Sequence, residues 1–184
     1  MTSTRAPDAG LLTLRAGIGG VLFAHGTQKL FGWFGGHELP ATAKTFDQMG
    51  FRPGSLNAVA AGLGEAGGGA LIALGLATPL AGSAAAGTMI AAASVHASRG
   101  FFATAGGYEY PALLGLSAAA LSLTGPGAYS LDAALGTRLN EPWMTAAGLL
   151  ASTALSIAVV WRRQKTLNAR AAADDQARAP GSDS

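Results

Sequence analysis

Long apolar runs alternate with short polar connections along most of this chain. Residues 11–31, 56–76, 80–98, 111–131 and 142–161 carry few or no charges. Each is about as long as the roughly 20 residues that cross a ~30 Å hydrocarbon core as a helix. The pattern predicts an all-α, polytopic membrane helix bundle. The fourth run is expected to stay helical only to about Leu123, because Thr124-Gly125-Pro126-Gly127 reads as a turn. Ala77-Thr78-Pro79 leaves room only for a tight reversal, so the second and third runs should be adjacent and antiparallel. Between the first two runs, residues 41–49 read as a short amphipathic helix, with Phe46 and Met49 toward the membrane and Lys44, Asp47 and Gln48 toward water. Ser130 can cap a short helix running to Leu135. The fifth run opens on Pro142, carries Trp143 and Trp161 at its two ends, and stops at Arg162-Arg163-Gln164-Lys165.

The organisation expected from this pattern is a mobile N-terminus over residues 1–10 and a four-helix membrane domain over 11–135. An extra transmembrane helix over 142–161 and a basic, largely disordered tail over 162–184 complete it. Residues 1–31 resemble a signal peptide in outline, but Leu22-Phe23-Ala24-His25 is a poor cleavage site, so the run reads as a retained first span.

Composition sharpens the membrane reading. Of 184 residues 49% are hydrophobic and only 12% charged, against about 25% charged in ordinary soluble domains. The net charge of +2 and the pI near 9.3 come mostly from the tail, and no aromatic-basic interleaving suggests nucleic acid. The chain has no cysteine, which removes thiol catalysis, disulfides, iron–sulfur ligation and thiolate zinc sites.

Charge placement predicts topology. Lys44, Arg52, Arg99 and the tail residues Arg162, Arg163, Lys165, Arg170 and Arg178 fall on one side of five spans, while only Arg5 and Arg138 fall on the other. Basic residues favour the cytoplasmic side. The N-terminus is therefore expected outside and the C-terminus in the cytoplasm of a cell with this protein in its plasma membrane.

One residue stands out against this background. Glu65 is the single charge in residues 56–76, a stretch that also holds six glycines. A carboxylate at mid-bilayer costs roughly 3 kcal/mol on insertion scales, so it should face protein and be paired or protonated. The glycines let neighbouring helices approach closely. Glu65 should lie roughly 13 Å below the cytoplasmic start of its span. His25 and Lys29, four residues apart, share one face of the first span. Together with His96, Arg99 and Glu109 they should ring a polar inner-leaflet pocket above Glu65. Arg15, near the outer end of the first span, is expected to snorkel outward.

Several motifs carry a family resemblance. They are Leu14-Arg15; His25 to Gly32 (HGTQKLFG); Ala61 to Glu65 (AGLGE) with the glycines that follow; and Gly75 to Ala81 (GLATPLA). Gly106 to Pro111 (GGYEYP) and Thr124 to Asp132 (TGPGAYSLD) complete the set. In their order and spacing the chain resembles the DoxX family of small membrane proteins over about residues 11–135. The resemblance implies a four-helix membrane bundle. Members are described as oxidoreductases, and some relatives are subunits of thiosulfate:quinone oxidoreductase. A membrane redox or oxidative-stress role with soluble or membrane redox partner proteins is therefore what the resemblance implies here. The fifth span and basic tail depart from the family pattern. The Gly- and Ala-rich composition fits a high-GC bacterial source.

The residues themselves suggest quinone chemistry. A quinone needs an apolar slot, hydrogen-bond donors at its carbonyls and a proton route. Glu65 and His25 are the candidate proton-relay pair. Lys29, Arg99, His96, Tyr108, Glu109 and Arg15 are the candidate substrate-binding residues, with Tyr110 as a further donor and stacking surface. The plainer reading makes Glu65 a structural bolt paired with Arg15 or Lys29, Lys29 and Arg99 snorkelling cations, and Glu109 a helix cap. His25 and His96 without a further motif are little ground for haem. No zinc-type spacing predicts a metal site, and no glycine-rich strand–helix unit predicts a dinucleotide site. The competing function is a non-enzymatic membrane scaffold, recruiting proteins through the tail, or a small-solute carrier.

Overall fold

The apolar runs become helices where nothing interrupts the backbone ladder, and glycine closes three of them, at Gly32, Gly75 and Gly125. The structure, a computed structural model, describes residues 5–178. Its helices are α1 (Arg5–Phe31), α2 (Leu39–Gln48), α3 (Gly54–Leu74), α4 (Thr78–His96), α5 (Glu109–Thr124), α6 (Leu131–Leu135) and α7 (Pro142–Arg178), and the described residues contain no strand. Among the described residues four helices are long and apolar enough to cross a membrane: α1, α3, α4 and α7. The fourth apolar run forms α5, with only 16 residues, about 24 Å of helix, and it ends at Gly125 in a positive-φ conformation (φ 76°).

α1 and α3 form the closest pair, and glycine makes the approach possible. A Cβ on Gly26 would stand 2.1 Å from the Ala66 backbone nitrogen, and one on Gly69 would stand 2.5 Å from that of Phe23. Lipid offers apolar groups no reason to leave it, so close backbone packing of this kind is what holds membrane helices together. The reversal from α3 to α4 is as tight as expected. Gly75 closes α3 at φ 68°, and its N–H and that of Leu76 donate to the carbonyls of Ile72 and Leu71.

α4 is the hub of the bundle, packed on α3, α5 and α7. It buries Ala81, Gly82, Ser83, Ala85, Ala86 and Gly87, residues too small to hold neighbours apart. Ser83 and Ser122 join α4 to α5 across 3.0 Å, and Ser156 of α7 donates to the Gly87 carbonyl at 2.7 Å. α7 runs parallel to α4: Gly148 meets Ser83, Ser152 meets Gly87, and Arg163 reaches the Ser94 carbonyl. α2, the segment around Arg99 and the extension of α7 therefore lie at one end of the bundle. Leu63, Leu116 and Leu150 stand exposed on its outside.

Three expectations need correction. Arg15 does not snorkel: it is fully buried and its guanidinium donates to the Tyr129 carbonyl. The segment after Trp161, expected to be largely disordered, continues α7 as helix to Arg178. Arg163, Leu167 and Arg170 pack it on α2 and on Gly50, and its alanines favour helix. Likewise α1 begins at Arg5 rather than after residue 10, and the Asp8 carboxylate accepts the Ala128 N–H at 2.9 Å. Residues 1–4 and 179–184 of the expected mobile termini lie outside the described residues.

Candidate functional site

α3 and α4 part toward the α2 end of the bundle, and the gap holds a cavity of 520 Å³. Its walls are mostly apolar, built of alanine, leucine, valine, methionine, phenylalanine and proline. Glu65 of α3, Lys29 and His25 of α1, His96 of α4 and Tyr110 of α5 bring most of its polarity, with Asn57 and Thr88 beside them.

Glu65 is 2% exposed, and its Oε2 accepts from Lys29 Nζ at 2.5 Å. This is the one salt bridge among the described residues. The register of α1 provides it: Lys29 is one turn beyond His25 and on the same face, with its Nζ also 3.4 Å from the His25 carbonyl oxygen. Burying one member of such a pair without the other costs about 3–5 kcal/mol, so each residue requires the other. Gly62 and Gly64 leave the room, since side chains there would collide with Leu30 and with Thr88.

His25 has a second partner. Its Nε2 lies 3.1 Å from the Tyr110 hydroxyl, with the ring centroids 5.6 Å apart and the planes tilted by 58°. This contact joins α1 to the first turn of α5. The same wall of the cavity thus carries an ion pair and a histidine–phenol pair, all from groups able to give or hold a proton. His96 enters the lining too, with its Nδ1 2.9 Å from the Gly106 carbonyl, which fixes the ring against the loop after α4.

Other residues grouped with the site by sequence stand elsewhere. Arg99 is exposed and lies along Gly106. Tyr108 packs edge-on against Phe101, with centroids 5.5 Å apart. The Glu109 carboxylate accepts the Ala103 N–H at 2.9 Å and so closes its own loop. Arg15 is at the opposite end of the bundle, against the segment that holds Tyr129. There Asp132 is 3% exposed and accepts the Ala77 N–H at 2.8 Å, while its own N–H donates to the Gly75 carbonyl. Arg15 and Asp132 thus tie α1, the α3–α4 turn and α6 together.

Two parts of the site had no forecast from sequence. Phe46 and Met49 of α2, expected to face the membrane, line the cavity with Phe51. α7 contributes Ser152, Leu155, Ser156 and Val159. A signal for the latter was present: Gly148, Ser152 and Ser156 recur every four residues, a small-residue stripe suited to close helix contact.

With this geometry in view, comparison with known proteins adds one positive finding. The family profile for DoxX matches residues 10–98, from the first turns of α1 to just beyond α4. No curated protein and no solved structure matches the chain. The profile thus spans the helices that supply Glu65, Lys29, His25 and His96, and with its apolar helices this chain is a multi-pass membrane protein that carries a DoxX domain over residues 10–98.

Proposed function

We propose that this protein is a quinone-linked subunit of a membrane redox or oxidative-stress system, with the cavity around Glu65 as its quinone site. The observation that carries the reading is the pairing of Lys29–Glu65 at 2.5 Å and His25–Tyr110 at 3.1 Å on one wall of a mainly apolar 520 Å³ cavity. A quinone ring requires that combination of apolar space and convergent polar groups. On going to the quinol it takes up two electrons and two protons. The electrons come from a redox partner protein; the residues here handle the protons and the headgroup.

In this reading the Lys29 ammonium and the Tyr110 hydroxyl donate to the quinone oxygens. His25 exchanges a proton with Tyr110 and with water at the open side of the cavity. Lys29 and Tyr110 each deliver one proton to the reduced ring and are replenished by His25 and by water at the open side, while Glu65 holds Lys29 in position. Positive-inside charge placement supports a cytoplasmic location for the end bearing α2 and the α7 extension, in a bacterial plasma membrane. The scaffold reading leans on a basic tail free to recruit partners. Two of its arginines, Arg163 and Arg170, instead donate to carbonyls of α2, which favours the quinone reading.

The test is quinone binding by the purified protein in lipid nanodiscs, titrated with a short-chain ubiquinone or menaquinone analogue. Glu65→Gln and His25→Ala should each weaken binding at least tenfold while circular dichroism and thermal unfolding show a folded bundle. Unchanged affinity in both variants overturns the proposal.

A further inference from the structure

The cavity is closed on one side by parts of the chain that the family match leaves out. α7 begins well after residue 98, yet Ser152, Ser156 and Val159 form one wall. Beyond that wall the same face of the helix continues, at seven-residue spacing, to Arg163 and Arg170, and both arginines turn onto α2. Arg163 Nε donates to the Met49 carbonyl at 2.9 Å and its Nη1 to the Ser94 carbonyl at 3.2 Å. Arg170 donates to the carbonyls of Gln48 at 2.9 Å and Asp47 at 2.7 Å. Leu167, between them, rests against Gly50.

The Asp47, Gln48 and Met49 carbonyls are the last of α2 and its cap, while Ser94 belongs to α4. The α2 carbonyls sit at the negative end of its dipole, where cations bind favourably, and that of Asp47 also accepts the Gly50 N–H at 3.1 Å. Arg163 also lies 5.4 Å from the centre of the Phe51 ring. Phe46, Met49 and Phe51 cover the cavity. On the α3 side α2 packs on the start of that helix: the Gly54 N–H donates to the Asp47 carboxylate at 3.0 Å, and a Cβ on Gly54 would stand 2.1 Å from the Ala43 carbonyl oxygen.

We propose that α2 is a cover over the cavity, hinged to α3 at Asp47–Gly54, and that Arg163 and Arg170 are the positioning residues that latch it shut. α7 then does more than add a span: it walls one side of the cavity and holds the cover whose movement sets access from the cytoplasmic end. Release of the two arginines from the α2 carbonyls frees α2 to turn about the Asp47–Gly54 contact and draws Phe46 and Met49 from the mouth. The inference rests on the cavity being a ligand site, and its test reads the cover alone.

The cysteine-free sequence makes that test clean. Ala61→Cys places a thiol in the cavity lining, and Ala118→Cys places one in the fully buried core away from it. Modification by a membrane-impermeant maleimide is timed for each, in nanodiscs, with and without Arg163→Ala/Arg170→Ala. The latch predicts a rise at Ala61→Cys at least tenfold greater than at Ala118→Cys. If the double variant does not fold, Arg170→Ala alone should still give at least a threefold greater rise. Equal rates with and without the latch, or parallel increases at both cysteines, overturn the proposal. Either result leaves the quinone-binding titration to be judged on its own.

Discussion

Lys29 on α1 and Glu65 on α3 meet at 2.5 Å inside the bundle, with the carboxylate almost fully buried and the ammonium a quarter exposed. The pair links the best-packed helices of the bundle to its cavity. The glycine seam between α1 and α3 brings the two helices close enough for a lysine to reach across, so packing and site are one arrangement.

That arrangement predicts strong coupling between the two residues. Lys29→Met leaves a buried carboxylate without its cation, and Glu65→Gln leaves a poorly partnered ammonium. Each should destabilise the protein by about 2–4 kcal/mol, and the double variant by clearly less than the sum. Unfolding in detergent of the wild type, both single variants and the double variant measures this; additive losses would show that the pair does not stabilise the bundle.

Glycine substitutions should separate the seam from the lipid face. A Cβ at Gly26 would clash with the α3 backbone, whereas one at Gly67 meets nothing within 4 Å. Gly26→Ala should cost about 2 kcal/mol or more. Gly67→Ala should be neutral or stabilise by up to about 1 kcal/mol through helix propensity. Thermal unfolding of the two variants in the same lipid decides it.

The clasp at the other end is a stability element remote from the cavity. Asp132→Ala leaves the Ala77 N–H without an acceptor and frees α6, a loss of about 1–3 kcal/mol. Hydrogen exchange should rise at the Gly75–Ala77 turn, and quinone affinity should stay within twofold of wild type. Exchange unchanged at that turn would contradict the role assigned to Asp132.

Much of this was legible in the sequence, for physical reasons that also mark its limit. Five apolar runs, a single acid among glycines, and His25 and Lys29 one turn apart follow from periodicity and from the cost of burying charge. A tight turn between neighbouring runs fixes α3 against α4. The course of α7 was hidden because the long connection after α5 leaves its partner open, and only shape complementarity with the small residues of α4 selects it. Arg15 was misplaced because a basic residue near a span end usually reaches for water; here the Tyr129 carbonyl comes to it. Phe46 and Met49 were turned the wrong way because an apolar face suits a cavity as well as a bilayer. Tyr110 met His25 through a contact between helices far apart in sequence, which no local pattern encodes.

The histidine–phenol contact gives a graded prediction. Tyr110→Phe keeps the ring and removes the hydroxyl that lies 3.1 Å from His25 Nε2. A single hydrogen bond contributes about 0.5–1.5 kcal/mol, so quinone affinity should fall roughly 2- to 12-fold with little change in stability. An affinity equal to wild type would remove Tyr110 from the site.

The most direct measurement is photo-crosslinking with a photoreactive quinone analogue in nanodiscs, mapped by peptide mass spectrometry. Crosslinks should concentrate on the peptides bearing His25, Lys29, Glu65 and Tyr110, and should disappear with excess unmodified quinone. Crosslinks confined to lipid-facing positions such as Leu63 and Leu150, and insensitive to competing quinone, would contradict a quinone site at Glu65.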